Sequence, residues 1–213
     1  MNDDSRSEID VRDVTDGLWV WRFANPFWKP GVEWEPLTTS TCVESGSEIL
    51  VLDPQIPVAG GSEIWERLDA RAPTVGVVLK PDHVRDIDLF VRRYGLRAFG
   101  PKLFFPDDVP ETTLEPIEPG SFLPGGIIAL YDGRGENETP LWLPEQRALV
   151  FADALTAPDG QLRVWKTPWH EQRVLPALRE LLELPFEHVI VSHGEPVHTR
   201  PAYERALELI PWG

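Results

Sequence analysis

Three short segments of this chain end a run of apolar residues in a cluster of polar ones. They are Leu79-Lys80-Pro81-Asp82-His83, Phe151-Ala152-Asp153-Ala154 and Val191-Ser192-His193-Gly194-Glu195. The apolar runs read as strands, and α/β folds gather their sites where strands end. Imidazoles and carboxylates brought together there are the groups of metal-dependent chemistry. Each also has a structural role open to it. Asp82 could cap a helix starting near Val84, Asp153 could serve a turn, and His193 could hydrogen-bond the strand ends.

The elements that would position these residues follow from hydropathy. Ile9–Val14 and Leu18–Phe23 flank an Asp16-Gly17 turn and form a hairpin. A loop with three prolines runs from Asn25 to Pro36 and carries Phe27, Trp28 and Trp34. Thr38–Glu44 and Glu48–Leu52 pair across Ser45-Gly46-Ser47, and Asp53-Pro54 ends the second strand. Strand and helix then alternate. A helix capped by Ser62 runs to about Ala70, and Val75–Leu79 is a strand apolar on both faces. Val84, Ile87, Val91 and Tyr94 make a helical stripe closed by Gly95, and Leu96–Phe99 is a short strand. The second half repeats the theme. Its strands are Gly126–Tyr131, Pro140–Leu143, Ala148–Phe151 and His188–Ser192. Its helices run through Val174–Leu182 and Tyr203–Ile210.

The chain has 213 residues, 42% of them hydrophobic, which is enough for one domain over 1–213 with a full core. The net charge of −15 argues against a phosphate backbone or an anionic membrane as partner. No run approaches the ~18 apolar residues of a membrane span. The start of the chain lacks the basic and apolar regions of a signal peptide, so the expected location is cytoplasmic. A small-molecule ligand and self-association are compatible with this composition. The one cysteine, Cys42, rules out an intrachain disulfide and reads as a core residue.

Together with Leu50-Val51-Leu52-Asp53-Pro54, the three segments resemble the metallo-β-lactamase superfamily in order and spacing, from about Leu18 to Val197. The hairpin Leu143–Asp153 is similar to the one that precedes that family's bridging aspartate. The resemblance implies an α/β fold, the four-layer αββα sandwich. It also implies a metal site filled by a His-x-His-x-Asp-His loop, a middle histidine, an aspartate and a last histidine. No histidine lies between His83 and His170, so the middle ligand, expected near Gly135, is missing. If Asp82-His83 matches the Asp-His of the loop, its first two histidines are missing as well. The second metal's set would remain as Asp82, His83, Asp153 and His193, suited to one zinc, iron or manganese ion or to none. In an ungapped register His83 matches the second loop histidine, Pro81 replaces the first, and Arg85-Asp86 replaces Asp-His, which implies a metal site almost entirely destroyed. Both registers stand at this point.

The aromatics Trp21, Trp28 and Trp34 are candidates for a substrate wall, with core closure as the alternative. Arg134, Arg163 and Lys166 could bring positive charge to a cleft, or be ordinary surface charge. The expected function is a degenerate hydrolase-like protein with at most one metal, catalytic or not. The alternatives are an active mononuclear hydrolase of a small ester, thioester or lactone, and a binding or scaffold protein that uses the ancestral cleft.

Overall fold

A computed structural model describes residues 9–135 and 137–213. Two sheets carry the fold. The first holds β1 (Asp10–Thr15), β2 (Leu18–Ala24), β3 (Leu37–Ser45), β4 (Glu48–Leu52), β5 (Val75–Val77), β6 (Arg97–Gly100) and β7 (Glu115–Pro116), side by side in that order. The second contains β8 (Ile128–Ala129), β9 (Leu141–Leu143), β10 (Ala148–Phe151), β13 (His188–Val191) and β14 (Val197–Thr199), ordered β14-β13-β10-β9-β8. A ribbon of β11 (Leu155–Thr156) and β12 (Arg163–Val164) follows β10. The helices are α1 (Ser62–Ala70), α2 (Ile87–Tyr94), α3 (Leu175–Glu180) and α4 (Arg200–Ala206).

Strand alternation sorts the side chains into three apolar layers. Leu18, Val20, Leu50, Leu52, Val75 and Val77 face Leu141, Leu143, Ala148, Val150 and Ile190 between the sheets. Their neighbours Trp19, Trp21, Cys42 and Val51 point the other way, onto Ile64 and Leu68 of α1 and Ile87 and Phe90 of α2. Leu149, Phe151, Val189 and Val191 meet Leu175 and Leu178 of α3 and Tyr203 and Ala206 of α4. Helices thus cover the outer face of each sheet, and the result is the four-layer αββα sandwich the sequence leads one to expect.

The layers place strand ends together. β4 and β5 run parallel in the first sheet, and β10 and β13 run parallel in the second. Backbone hydrogen bonds join the sheets at this edge: Thr39 N–H donates to Ser192 at 2.9 Å, and Thr139 N–H to Leu79 at 2.8 Å. The segments that leave β4, β5, β10 and β13 therefore converge.

Several boundaries differ from the expectation. Gly61, not Ser62, precedes α1, and no side chain caps it. The stripe that starts at Val84 is helical only from Ile87, because Arg85 adopts a left-handed backbone with φ 46° that a helix cannot include. Asp82 therefore caps no helix. Gly95 closes α2 in the left-handed conformation, as its position implies. The apolar run at Gly126–Tyr131 pairs over Ile128–Ala129 only, after a turn through Pro124–Gly126. The last helix stops at Ala206 and leaves Ile210 exposed.

Candidate metal centre

His83, Asp153 and His193 meet at the shared edge, each with a ligand-type atom within 4.8 Å of the others. His83 stands in the turn after β5, Asp153 just past β10, and His193 just past β13. Asp153 Oδ1 lies 3.3 Å from His83 Nε2 and 3.2 Å from His193 Nε2. That oxygen is buried without an aligned hydrogen bond among the described residues, and so is His193 Nδ1.

Asp53 sets the face that His83 presents. Its Oδ2 is 2.7 Å from His83 Nδ1, and its Oδ1 accepts the Leu79 N–H at 2.7 Å. A carboxylate accepts, so Nδ1 carries the proton and Nε2 is left with its lone pair toward Asp153. Asp53 is almost fully buried and has φ 44°. Arg85, also left-handed, donates to the carbonyls of Thr39 at 2.7 Å and Asp53 at 2.9 Å. Two non-glycine residues in this sparsely populated region, one on each side of His83, mark a site where backbone strain is tolerated.

Electrostatics agree with the contacts. Burial opposes ionisation of Asp153, yet the His83 and His193 imidazoles outweigh it and hold its carboxyl well below the usual carboxylate range. Burial opposes charge on His83 too, but Asp153 and Asp53 raise its affinity for a proton above the ordinary value. For His193 burial wins, and its proton affinity falls. A lone pair facing a carboxylate oxygen at contact distance requires a cation between them, either a proton or a metal ion.

Asp82, the fourth residue of the expected ligand set, is placed differently. Its Oδ2 lies 2.6 Å from Lys80 Nζ, and it is absent from the converging group. Lys80 Nζ also lies 2.7 Å from Asp153 Oδ2. Burial disfavours the ammonium, but Asp153 and Asp82 outweigh it and raise its proton affinity. Asp86 turns away from the cleft and accepts the Ile56 N–H at 2.7 Å.

The aromatics separate by depth. Trp34 lies beside His193, with ring centroids 5.1 Å apart, and Trp28 donates its indole N–H to the Trp34 carbonyl at 2.8 Å. Trp28 thus braces Trp34. Trp21 cannot be a wall residue: it is fully enclosed, and its indole N–H donates to the Gln55 carbonyl at 2.7 Å. Alternation along β2 turns it onto the helix side. A cleft of about 470 Å³ opens over the centre, lined by Trp34, Phe27, Asp82, His83, Arg85, Asp107, Asp108 and His193, among others.

Of the three cations, Arg134 is buried rather than surface charge. It pairs with Asp132 at 2.7 Å and with Glu138. Glu138 in turn accepts the backbone N–H groups of Ala152, Asp153 and Ala154 at 3.1–3.2 Å, which fixes the Asp153 turn. Arg163 is turned to Gln161 and the Ile210 carbonyl, and Lys166 lines a smaller adjoining cleft. Outside the centre, His198 lies 2.7 Å from the Glu195 carbonyl, His188 is half-buried on β13, and His170 is buried.

The roles of Lys80 and Glu138, and the burial of Arg134 between Asp132 and Glu138, are absent from the sequence-derived site. Lys80 could have been suspected as a charge directly after an apolar strand. Nothing in the local sequence marks Glu138.

No family model matches the sequence, and no curated protein matches it. Solved structures do match in fold. A metallo-β-lactamase from Pontibacter korlensis has a TM-score of 0.68 at 16% identity, over 95% of this chain and 98% of that one. DIM-1 metallo-β-lactamase reaches 0.73 at 13% identity, over 97% and 98%. FIM-1 from Pseudomonas aeruginosa, solved in a mono-zinc form, reaches 0.66 at 16% identity, over 96% of each chain. The fold is therefore that of the metallo-β-lactamases. At these identities the likeness is one of fold alone.

Proposed function

We propose that the protein is a one-metal, hydrolase-like member of the metallo-β-lactamase fold, which holds a single divalent ion on His83 Nε2, Asp153 Oδ1 and His193 Nε2. One observation carries the reading. A tetrahedral ion with bonds of ~2.0–2.1 Å keeps its ligand atoms roughly 3.3 Å apart. Asp153 Oδ1 stands 3.3 and 3.2 Å from the two Nε2 atoms and has no aligned hydrogen bond among the described residues. Three protein ligands facing an open cleft are the arrangement of catalytic rather than structural zinc. The mono-zinc form of FIM-1 gives a precedent for single occupancy in this fold.

The placement of Arg85 and Asp82 supports the ungapped register, with His83 as the second loop histidine and Arg85 where the loop aspartate would be. In that register Asp153 Oδ2 and Asp82 are the donors left for a second ion, both of them held by Lys80, and the segment of the missing middle histidine contributes the buried Arg134 instead. Loss of the motif has not dispersed the remaining donors. The bound ion would supply Lewis acidity, polarising a carbonyl and acidifying a water. The chain's own residues do the rest. Asp53 holds the proton at His83 Nδ1, Glu138 fixes the Asp153 backbone, and Trp34 shields His193 and offers an apolar wall to an acyl group. A small ester, thioester or lactone fits such a cleft.

A second reading, a binding protein without catalysis, is favoured by Lys80, whose ammonium already partly neutralises Asp153. Elemental analysis of protein purified without a histidine tag separates the two. One equivalent of zinc, iron or manganese, lost in His193→Ala, together with chelator-sensitive turnover of ester, thioester or lactone probes, supports the hydrolase. Metal without turnover supports the binding reading, and no metal at all refutes the metal centre.

A further inference from the structure

We propose that Lys80 is a resident cation, standing where a second metal ion would contact Asp153 and keeping Asp82 out of the ligand set, so that the site takes one divalent ion and no more. The inference rests on the one-metal reading and explains why the number is one.

The two oxygens of Asp153 face different partners. Oδ1 faces the imidazoles, and Oδ2 lies 2.7 Å from Lys80 Nζ. A second ion arriving at Oδ2 would meet a positive ammonium at contact distance. Asp82 precedes His83 directly and would be the nearest additional carboxylate, but its Oδ2 is 2.6 Å from the same nitrogen. One ammonium with three donors thus engages both carboxylates. The Lys80 side chain is 13% exposed against 38% for Asp82, so the pair with Asp153 is screened on one side by protein.

The position of Lys80 is set by its backbone neighbours. Leu79 donates its N–H to Asp53 Oδ1 at 2.7 Å, and its carbonyl accepts the Thr139 N–H at 2.8 Å. The residue before Lys80 is therefore pinned both to the metal-orienting aspartate and to the chain that enters the second sheet. Lys166 lines the same small cleft as Lys80, beside Asp153 and His193.

The test is calorimetric zinc titration of the chelated full chain, with metal content measured after dialysis, for wild type, Lys80→Gln, Lys80→Arg and Asp82→Asn. Lys80→Gln removes a like charge beside the ion and releases two carboxylates, so zinc should bind roughly tenfold tighter or more, with a second equivalent taken up. Lys80→Arg, which keeps the charge, should behave as wild type. Asp82→Asn removes a carboxylate that Lys80 holds outside the ligand set, so its effect on zinc affinity should fall well short of the effect of Lys80→Gln.

If Lys80 were only a structural anchor, Lys80→Gln would bind zinc equally or more weakly, and that result overturns the proposal while the one-metal reading stands. A tenfold loss in Asp82→Asn makes Asp82 a ligand and overturns it as well, even if Lys80→Gln fails to fold. Zinc binding by Lys80→Gln but not by wild type supports the resident cation and removes the one-metal reading. Binding by neither removes both.

Discussion

Replacing Asp53 with Asn asks whether the centre depends on the face that His83 presents. Asp53 Oδ2 accepts from His83 Nδ1 at 2.7 Å, and Oδ1 accepts the Leu79 N–H at 2.7 Å. The asparagine carbonyl can keep the Leu79 bond, and asparagine tolerates the positive φ of 44° at this position. Its amide then points N–H groups at His83 Nδ1. The imidazole must offer a lone pair there, so its proton moves to Nε2, the atom aimed at Asp153. Nε2–H can donate to Asp153 Oδ1 but cannot ligate. Loss of such a supporting contact typically weakens metal binding 10–100-fold, about 1.4–2.7 kcal/mol. In the metal-free protein the cost is one buried charge-assisted hydrogen bond, roughly 1.5–3 kcal/mol. Zinc titration against a competing chelator reads the first quantity, and urea unfolding in chelator reads the second. Imidazole nitrogen shifts would report the change of tautomer. Wild-type zinc affinity in a folded Asp53→Asn protein would refute the ligand assignment at His83 Nε2.

Other expectations follow from the same geometry. Gly194→Ala should cost several kcal/mol or prevent folding, since φ is +83° and a Cβ would sit 2.1 Å from the Ala157 carbonyl oxygen. A stable Gly194→Ala protein in chemical denaturation would contradict that packing. The Cys42 thiol, with burial pushing its pKa up to about 12, should resist alkylation at pH 8 until the protein unfolds; rapid labelling under native conditions would argue against the buried β3 placement. In chelator, acid should lower the unfolding midpoint. The depressed carboxyl of Asp153 contributes stability that is complete above the unfolded value of about 4 and is lost as pH falls through the folded one. His83, raised, and His193, lowered, act in opposite directions around pH 6.5. An Asp153→Asn protein should lose part of the acid slope below pH 4, and an unchanged slope would place its origin elsewhere.

The apolar run Leu18-Trp19-Val20-Trp21, the doubly apolar Val75–Leu79 and the turn at Asp16-Gly17 mark strands covered on both faces, because successive side chains point to opposite sides of a sheet and an apolar pair needs cover on each. The same logic ends strands at Asp53, Asp153 and His193, so three of the polar residues around the centre are legible as strand-end residues. Periodicity carries no distances between segments 70 and 40 residues apart. Whether His83 or Asp82 turned inward was settled by the left-handed backbone at Arg85, and by the Asp53 carboxylate waiting at the end of a neighbouring strand. Among the tryptophans, the face of β2 that the helices cover encloses Trp21, and Trp34 is the one beside His193. Lys80 and Arg134 look like surface charges in the sequence. They are drawn in because packing two sheets face to face buries Asp132 and Glu138 and most of Asp153, and such carboxylates need partners that only the tertiary structure brings within reach.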